Sequence, residues 1–95
     1  MGLPATRLGD VDTGHGCFPP RPSAQGSPNV FVNGIPWHRQ SDAWQTHCGR
    51  GCHPSNLAQG SSTVFVNKLQ AGRITDPVAC GSVVATGSGN VFAGG

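Results

Sequence analysis

The chain has no tyrosine, one methionine, two tryptophans and four phenylalanines in 95 residues, and only 36% of it is hydrophobic. So little apolar material lies near the lower limit of what buries a self-sufficient core, and such chains need a staple, either disulfides or a bound metal. Charge is scarce as well: six Lys and Arg against four Asp and Glu, a net charge of +2, spread singly along the sequence. Nucleic-acid binding leaves a basic cluster or stripe, and none is present. No apolar run approaches the roughly 20 residues that a membrane-spanning helix requires. The opening segment MGLPATRLGD lacks the charged region and apolar stretch of a secretory signal, so synthesis in the cytosol is expected. A myristoylated Gly2 finds no second membrane signal beside it, so no stable membrane anchoring is expected. The four acidic residues, Asp10, Asp12, Asp42 and Asp76, give no convincing carboxylate pair. No nucleophile elbow accompanies the serines, and no enzymatic activity is expected.

Glycine and proline are abundant instead, 15 and 8 residues. They favour tight turns and exclude long helices, which points to an all-β fold. The segment GSPNVFVNG (26–34) returns as GSSTVFVNK from Gly60 and, worn down, as GSGNVFAGG from Gly87. A second element keeps step: PATRLGD, WHRQSD and AGRITD each carry an arginine three positions before an aspartate, namely Arg7–Asp10, Arg39–Asp42 and Arg73–Asp76. The interval from Gly26 to Arg39 equals that from Gly60 to Arg73, thirteen positions. Repetition of this kind sets the architecture before any single residue does. The expectation is one domain, residues 1–95, of short strands and hairpins with three-fold pseudo-symmetry, in repeats of about 4–34, 35–68 and 69–95. Asn33-Gly34 is the strongest hairpin signal, since both turn positions want φ > 0. Ile35 to Arg39 follows as the return strand. The third copy ends the chain without a return strand, and the segment Met1 to Asp10 is expected to supply it from the opposite terminus. The recurring aspartates read as turn residues that accept backbone N–H bonds.

The connectors between the copies differ in length: Asp10 to Gly26, Asp42 to Gly60 and Asp76 to Gly87 span sixteen, eighteen and eleven positions. They hold every cysteine and three of the four histidines. His15 and His47 each lie five positions after a repeat aspartate, and His53 and Cys80 each lie seven positions before a Gly-Ser pair. If the three connectors converge, His15, His47, His53 and Cys80 form a closed His3Cys tetrahedron for one structural Zn2+. A site of that kind adds on the order of 10 kcal/mol to folding in small peptides. His38, beside Trp37 in the return strand, reads as structural. Cys17, Cys48 and Cys52 stay open. The Cys48-x3-Cys52 spacing suits chelation, Cys17 could pair with either of the others in an oxidising space, and all three could be small buried hydrophobes.

PATR at Pro4 to Arg7, LGD, HGC and the GSPNVFVNG repeat together resemble the PAAR-repeat proteins over essentially the whole chain. Thr6 replaces the second alanine of the name, and the second repeat reads WHRQSD where a small residue and Gly-Asp are usual. The resemblance implies a small cone of short β-strands with zinc near its apex, held by three His and one Cys. By position these are His15, His47, His53 and Cys80. It further implies that the broad base caps a trimeric β-helical spike, the valine-glycine-repeat spike of type VI secretion or the spike of a contractile phage tail, for membrane puncture and effector delivery. The chain would be exported with that apparatus. One pseudo-three-fold monomer suits one trimer, and the strand residues Val30, Val32, Val64, Val66 and Val91 are expected to face the spike. Some family members carry toxin domains beside the repeats; here effectors are expected only as separate proteins. The competing reading is a small zinc-binding protein-interaction or nucleic-acid adaptor, for which His47-Cys48 and Cys52-His53 speak and the sparse positive charge does not.

Overall fold

A computed structural model describes residues 2–14, 18–48 and 51–95, without the side chain of His53. Eight short strands carry the regular structure: β1 (Leu3–Pro4), β2 (Phe31–Val32), β3 (Ile35–Pro36), β4 (Ala43–Cys48), β5 (Cys52–Asn56), β6 (Phe65–Val66), β7 (Leu69–Gln70) and β8 (Phe92–Ala93). No helix occurs among the described residues, and the fold is all-β.

The repeated segments form antiparallel pairs with one register. Phe31 faces Pro36 and Val32 faces Ile35 in β2–β3; Phe65 faces Gln70 and Val66 faces Leu69 in β6–β7. The third copy takes its return strand from the other end of the chain: Phe92 faces Pro4 and Ala93 faces Leu3 in β8–β1, as the repeat count requires. Asn33 and Gly34 have φ of 54° and 77°, the left-handed pair that a two-residue hairpin turn needs. Asn67 and Lys68 hold the same conformation, at 53° and 70°, which strains the lysine by about 1 kcal/mol relative to glycine.

The Gly-Ser motif has a local reason. The hydroxyls of Ser27, Ser61 and Ser88 are buried and accept N–H bonds from the residues two and three further on, ending at Val30, Val64 and Val91. Each serine also donates to another copy: Ser27 to Asn67 Oδ1 and Ser88 to Asn33 Oδ1, both 2.6 Å, and Ser61 to the Gly94 carbonyl. The same three acceptors receive Nη1 of Arg39, Arg7 and Arg73 respectively. Gly94 stands where the other copies have Asn, so a backbone oxygen replaces the missing amide. Every one of these arginines forks onto its aspartate through Nε and Nη2, and each aspartate accepts the arginine's own N–H. Planar two-bond contacts of this type are among the strong ones. The residue before each aspartate, Gly9, Ser41 or Thr75, has φ between 73° and 90°, a turn geometry in which the expected aspartate–backbone bonds close.

Three backbone hydrogen bonds join the copies in a ring. Thr6 N–H donates to Gly72 O (3.0 Å), Gly72 N–H to His38 O (2.9 Å), and His38 N–H to Thr6 O (3.1 Å). Bridges Ala5–Arg73, Arg7–Trp37 and Arg39–Ala71 flank it. Thr6 and His38 have no solvent exposure. A Cβ on Gly72 would lie 2.7 Å from His38 O and 2.8 Å from Thr6 Cγ2, so the absence of a side chain at Gly72 is what lets the three backbones approach closely enough to close the ring.

Two apolar clusters follow. One gathers Ala5, Val32, Trp37, Val66, Ala71 and Ala93, with Val30, Val64 and Val91 packed against it. The other, built from connector residues, gathers Trp44, Leu57, Val78 and Val84 with Ile74 and Cys80. His38 meets the second through an edge-on contact with Trp44 at 4.9 Å, and its Nδ1–H donates to Gln25 O at 2.7 Å. It is structural, as its place beside Trp37 suggests.

Candidate metal centre and contact face

The longest strand pair, β4–β5, grows out of the second connector, which the sequence presents as a loop. Trp44 pairs with Ser55 and His47 with His53, so β4 carries one extra residue between the two pairs. Such a bulge re-aims side chains. In a regular strand Trp44 and His47 would face opposite ways; here both are buried while Gln45, Thr46 and Cys48 are exposed. His47 stacks on Phe18 of the first connector at 4.9 Å, and its Nδ1–H donates to Pro19 O at 2.9 Å. That bond fixes the tautomer with the lone pair on Nε2, the arrangement a metal-ligating imidazole uses.

Cys48 and Cys52 are cross-strand partners and are joined by a disulfide. Both are exposed. Their sulfurs therefore neither pair with Cys17 nor sit as small buried hydrophobes, because the outward face of the hairpin beyond the bulge brings them together in solvent.

Cys80 is a free thiol, half-buried at the edge of the second apolar cluster. It opens on a cleft lined with Pro54, Ser55, Asn56 and Ala79, beside β5. Burial alone would push the thiol up, but hydrogen bonds from the backbone and hydroxyl of Ser82, from Ser55, and the charge of Arg21 outweigh it and hold the thiol below its ordinary value. The Arg21 guanidinium lies with Nη2 2.7 Å from Cys80 Sγ. Its Nε donates to Asp12 Oδ2 at 3.1 Å and its Nη1 to Gln45 O at 3.2 Å. One side chain, 2% exposed, thus touches all three connectors. Asp12 also accepts from the Ser82 hydroxyl (2.8 Å), Gly14 N–H and Arg21 N–H. Burial opposes its charge, yet these bonds hold the carboxyl below the usual carboxylate range.

Of the four ligands expected from the sequence, His47 and Cys80 lie on connectors that Arg21 stitches together. His15 and the side chain of His53 lie outside the described residues. Among the described residues no three metal-binding side chains gather. The two that are described fit a metal by chemistry: a tautomer-fixed imidazole and a cysteine whose charged form is favoured. Arg21 and Asp12 escaped the sequence reading because they stand outside the repeat register. The signal was arithmetic, since three Arg–Asp pairs leave Asp12 and two arginines without an assignment.

The strand residues divide by face. Val32 and Val66 point into the first apolar cluster, 2% and 3% exposed, and Val30, Val64 and Val91 are half-buried against it. The side chains that reach solvent are Phe31, Phe65 and Phe92, at 54%, 55% and 54% exposure. The alternation was legible in the sequence; which side faces outward was not, because the inner face needs small branched residues that fit between neighbouring copies.

Comparison with known proteins agrees with this anatomy. The family model of the PAAR motif matches residues 13–86. The chain is 37% identical over 71 residues to the double-stranded DNA deaminase toxin A of Burkholderia cenocepacia, covering 70% of this chain and 5% of that protein. It is 35% identical over 78 residues to two proteins of Pseudomonas aeruginosa, the NAD(P)(+) glycohydrolase toxin Tse6 and the (p)ppApp synthetase toxin Tas1, covering 75% of this chain and 18% of each. The chain therefore spans less than a fifth of the length of these relatives. With the repeated Arg–Asp turns, the Gly-Ser hairpins and a match over most of its length, the chain belongs to the PAAR-motif family.

Proposed function

We propose that this chain is a tip protein that caps a trimeric β-helical spike, the valine-glycine-repeat spike of a type VI secretion system or the spike of a contractile tail. The observation that carries this reading is the recurrence of one hairpin register three times, each copy offering one half-exposed phenylalanine. A three-fold set of contacts is what one monomer needs to meet three identical chains without leaving one unpaired. The phenylalanines are the anchors in this account, and the valines expected from the sequence act behind them as their support. Unpaired strand ends of a spike would gain backbone partners from such a cap.

The second part of the proposal is a structural zinc ion held by His15, His47, His53 and Cys80. Four protein ligands leave no open position, so the metal supplies a crosslink between connectors and no hydrolytic chemistry. The relatives named above are toxins of which the matched segment is a small part. That proportion suits a delivery module with no catalysis of its own, exported with the apparatus. The test is a binding assay against a spike trimer. A Phe31→Ser, Phe65→Ser, Phe92→Ser triple variant is expected to lose more than about 100-fold in affinity, since buried aromatic anchors carry most of an interface's energy, with metal content unchanged. Undiminished binding by a folded triple variant would exclude this face.

A further inference from the structure

We infer that Arg21 is the positioning residue of the Cys80 sulfur, donating an N–H bond that holds the sulfur in place and draws charge from it when it binds metal. This rests on the zinc reading above and goes beyond its four ligands. Three observations carry it. The guanidinium Nη2 is 2.7 Å from Sγ. Its Nε and Nη1 are anchored at Asp12 Oδ2 and Gln45 O, so the group cannot swing away. Its position is over-determined from the other side too, because the Ser82 hydroxyl braces Asp12 at 2.8 Å.

A cation beside a metal ion needs a reason to be there. Asp12 is that reason: its side chain is fully buried and its carboxylate faces the guanidinium at 3.1 Å, so the pair is neutral as a unit and presents its N–H end to the sulfur. The buried repeat pairs, such as Arg39–Asp42, spend both Nε and Nη2 on the aspartate and send Nη1 to an amide or a carbonyl oxygen, whereas Arg21 gives Asp12 its Nε alone and turns Nη2 to the sulfur. Within one molecule the repeat turns are therefore a control for what a merely structural Arg–Asp pair does. Outer partners that orient a metal ligand typically change metal affinity 10–100-fold when removed.

The test uses Co2+ as the probe, read through its sulfur-to-metal charge-transfer absorption. Arg21→Met removes the donor. Because it strands a buried carboxylate, the double variant Asp12→Asn, Arg21→Met is measured with it, and Asp42→Asn, Arg39→Met serves as the structural control. The expected result is a charge-transfer band moved to longer wavelength and a 10–100-fold weaker cobalt affinity for the Arg21 variants. The Arg39 control should keep the wild-type band, whatever it loses in thermal stability. A band and an affinity in the Asp12, Arg21 double variant that match the control would overturn the assignment and leave Arg21 a strut between connectors. A wild-type chain that takes up cobalt without any sulfur band, or takes up none, would overturn the metal reading and this inference with it.

Discussion

In the hairpin framework one set of serine and arginine hydrogen bonds is written three times and survives departures in sequence. The Gly94 carbonyl takes the place of Asn33 and Asn67, and Gly72 lets the backbone ring close against the His38 carbonyl and the Thr6 methyl group. In the connectors no two segments are alike. The second builds a bulged hairpin closed by a disulfide, the first lays Phe18 and Pro19 against His47, and the third brings Cys80. The framework is held by a backbone ring and three Arg–Asp pairs that need no ligand. The connectors rest on one small apolar cluster and on Arg21, which reaches into all three. Repetition fixes a scaffold, and irregularity is confined to the segments that carry the metal-binding residue types.

That division can be broken from either side. The largest effect is expected from the connectors: chelation, or Cys80→Ala, should remove stabilisation on the order of 10 kcal/mol if the zinc reading holds. The checks are a melting curve and amide exchange, with the loss of protection beginning in residues 43–56 and 77–86. An unchanged melting profile in a metal-free chain would sink the crosslink. Next comes the framework. Gly72→Ala places a methyl group against the His38 carbonyl and Thr6 at the centre of the backbone ring, with an expected loss of about 3 kcal/mol from overpacking. Denaturant unfolding measures it, and a loss confined to the connectors would mean the two regions are not separable.

Reduction of Cys48–Cys52 should do less. The bridge spans a sequence separation of four residues, and so short a loop offers at most about 2 kcal/mol of chain-entropy stabilisation. Exchange at the tip of β4–β5 should rise on reduction while the Thr6, His38 and Gly72 amides stay protected.

The smallest effect is a pH dependence at His38. Burial first, and the Arg39 charge with it, holds its imidazole below the ordinary histidine value against the pull of the Gln25 carbonyl, Asp42 and Asp10. The unfolded chain therefore takes up a proton that the folded chain refuses. Stability should fall as pH drops through about 6.5, the ordinary histidine value, and level off below the lowered folded value. A His38→Gln variant should lack that share of the slope. Parallel pH profiles for the two chains would contradict a neutral, buried His38.

Much of the framework was legible in the sequence. Asn33-Gly34 announced its turn, the Gly-Ser copies gave the register, and the unpaired third copy called for the amino-terminal strand. The β4–β5 pair was not legible, because the extra residue between Trp44 and His47 breaks the period of two and Cys, His, Gly and Pro in that stretch read as loop. Cys80 and His47 were singled out as candidate ligands by register. Arg21 was invisible to that method, since its partners Asp12, Gln45 and Cys80 are 9, 24 and 59 positions away. The outward phenylalanines were hidden by phase: a strand of two residues shows alternation without saying which side is core.

The central claim is that three repeats in one chain meet three chains in a partner. Native mass spectrometry of this protein co-expressed with a cognate spike tests it most directly. The account predicts one copy on three spike chains with a single zinc retained. A monomer that keeps its zinc and ignores the cognate spike, or a complex of any other stoichiometry, would contradict it.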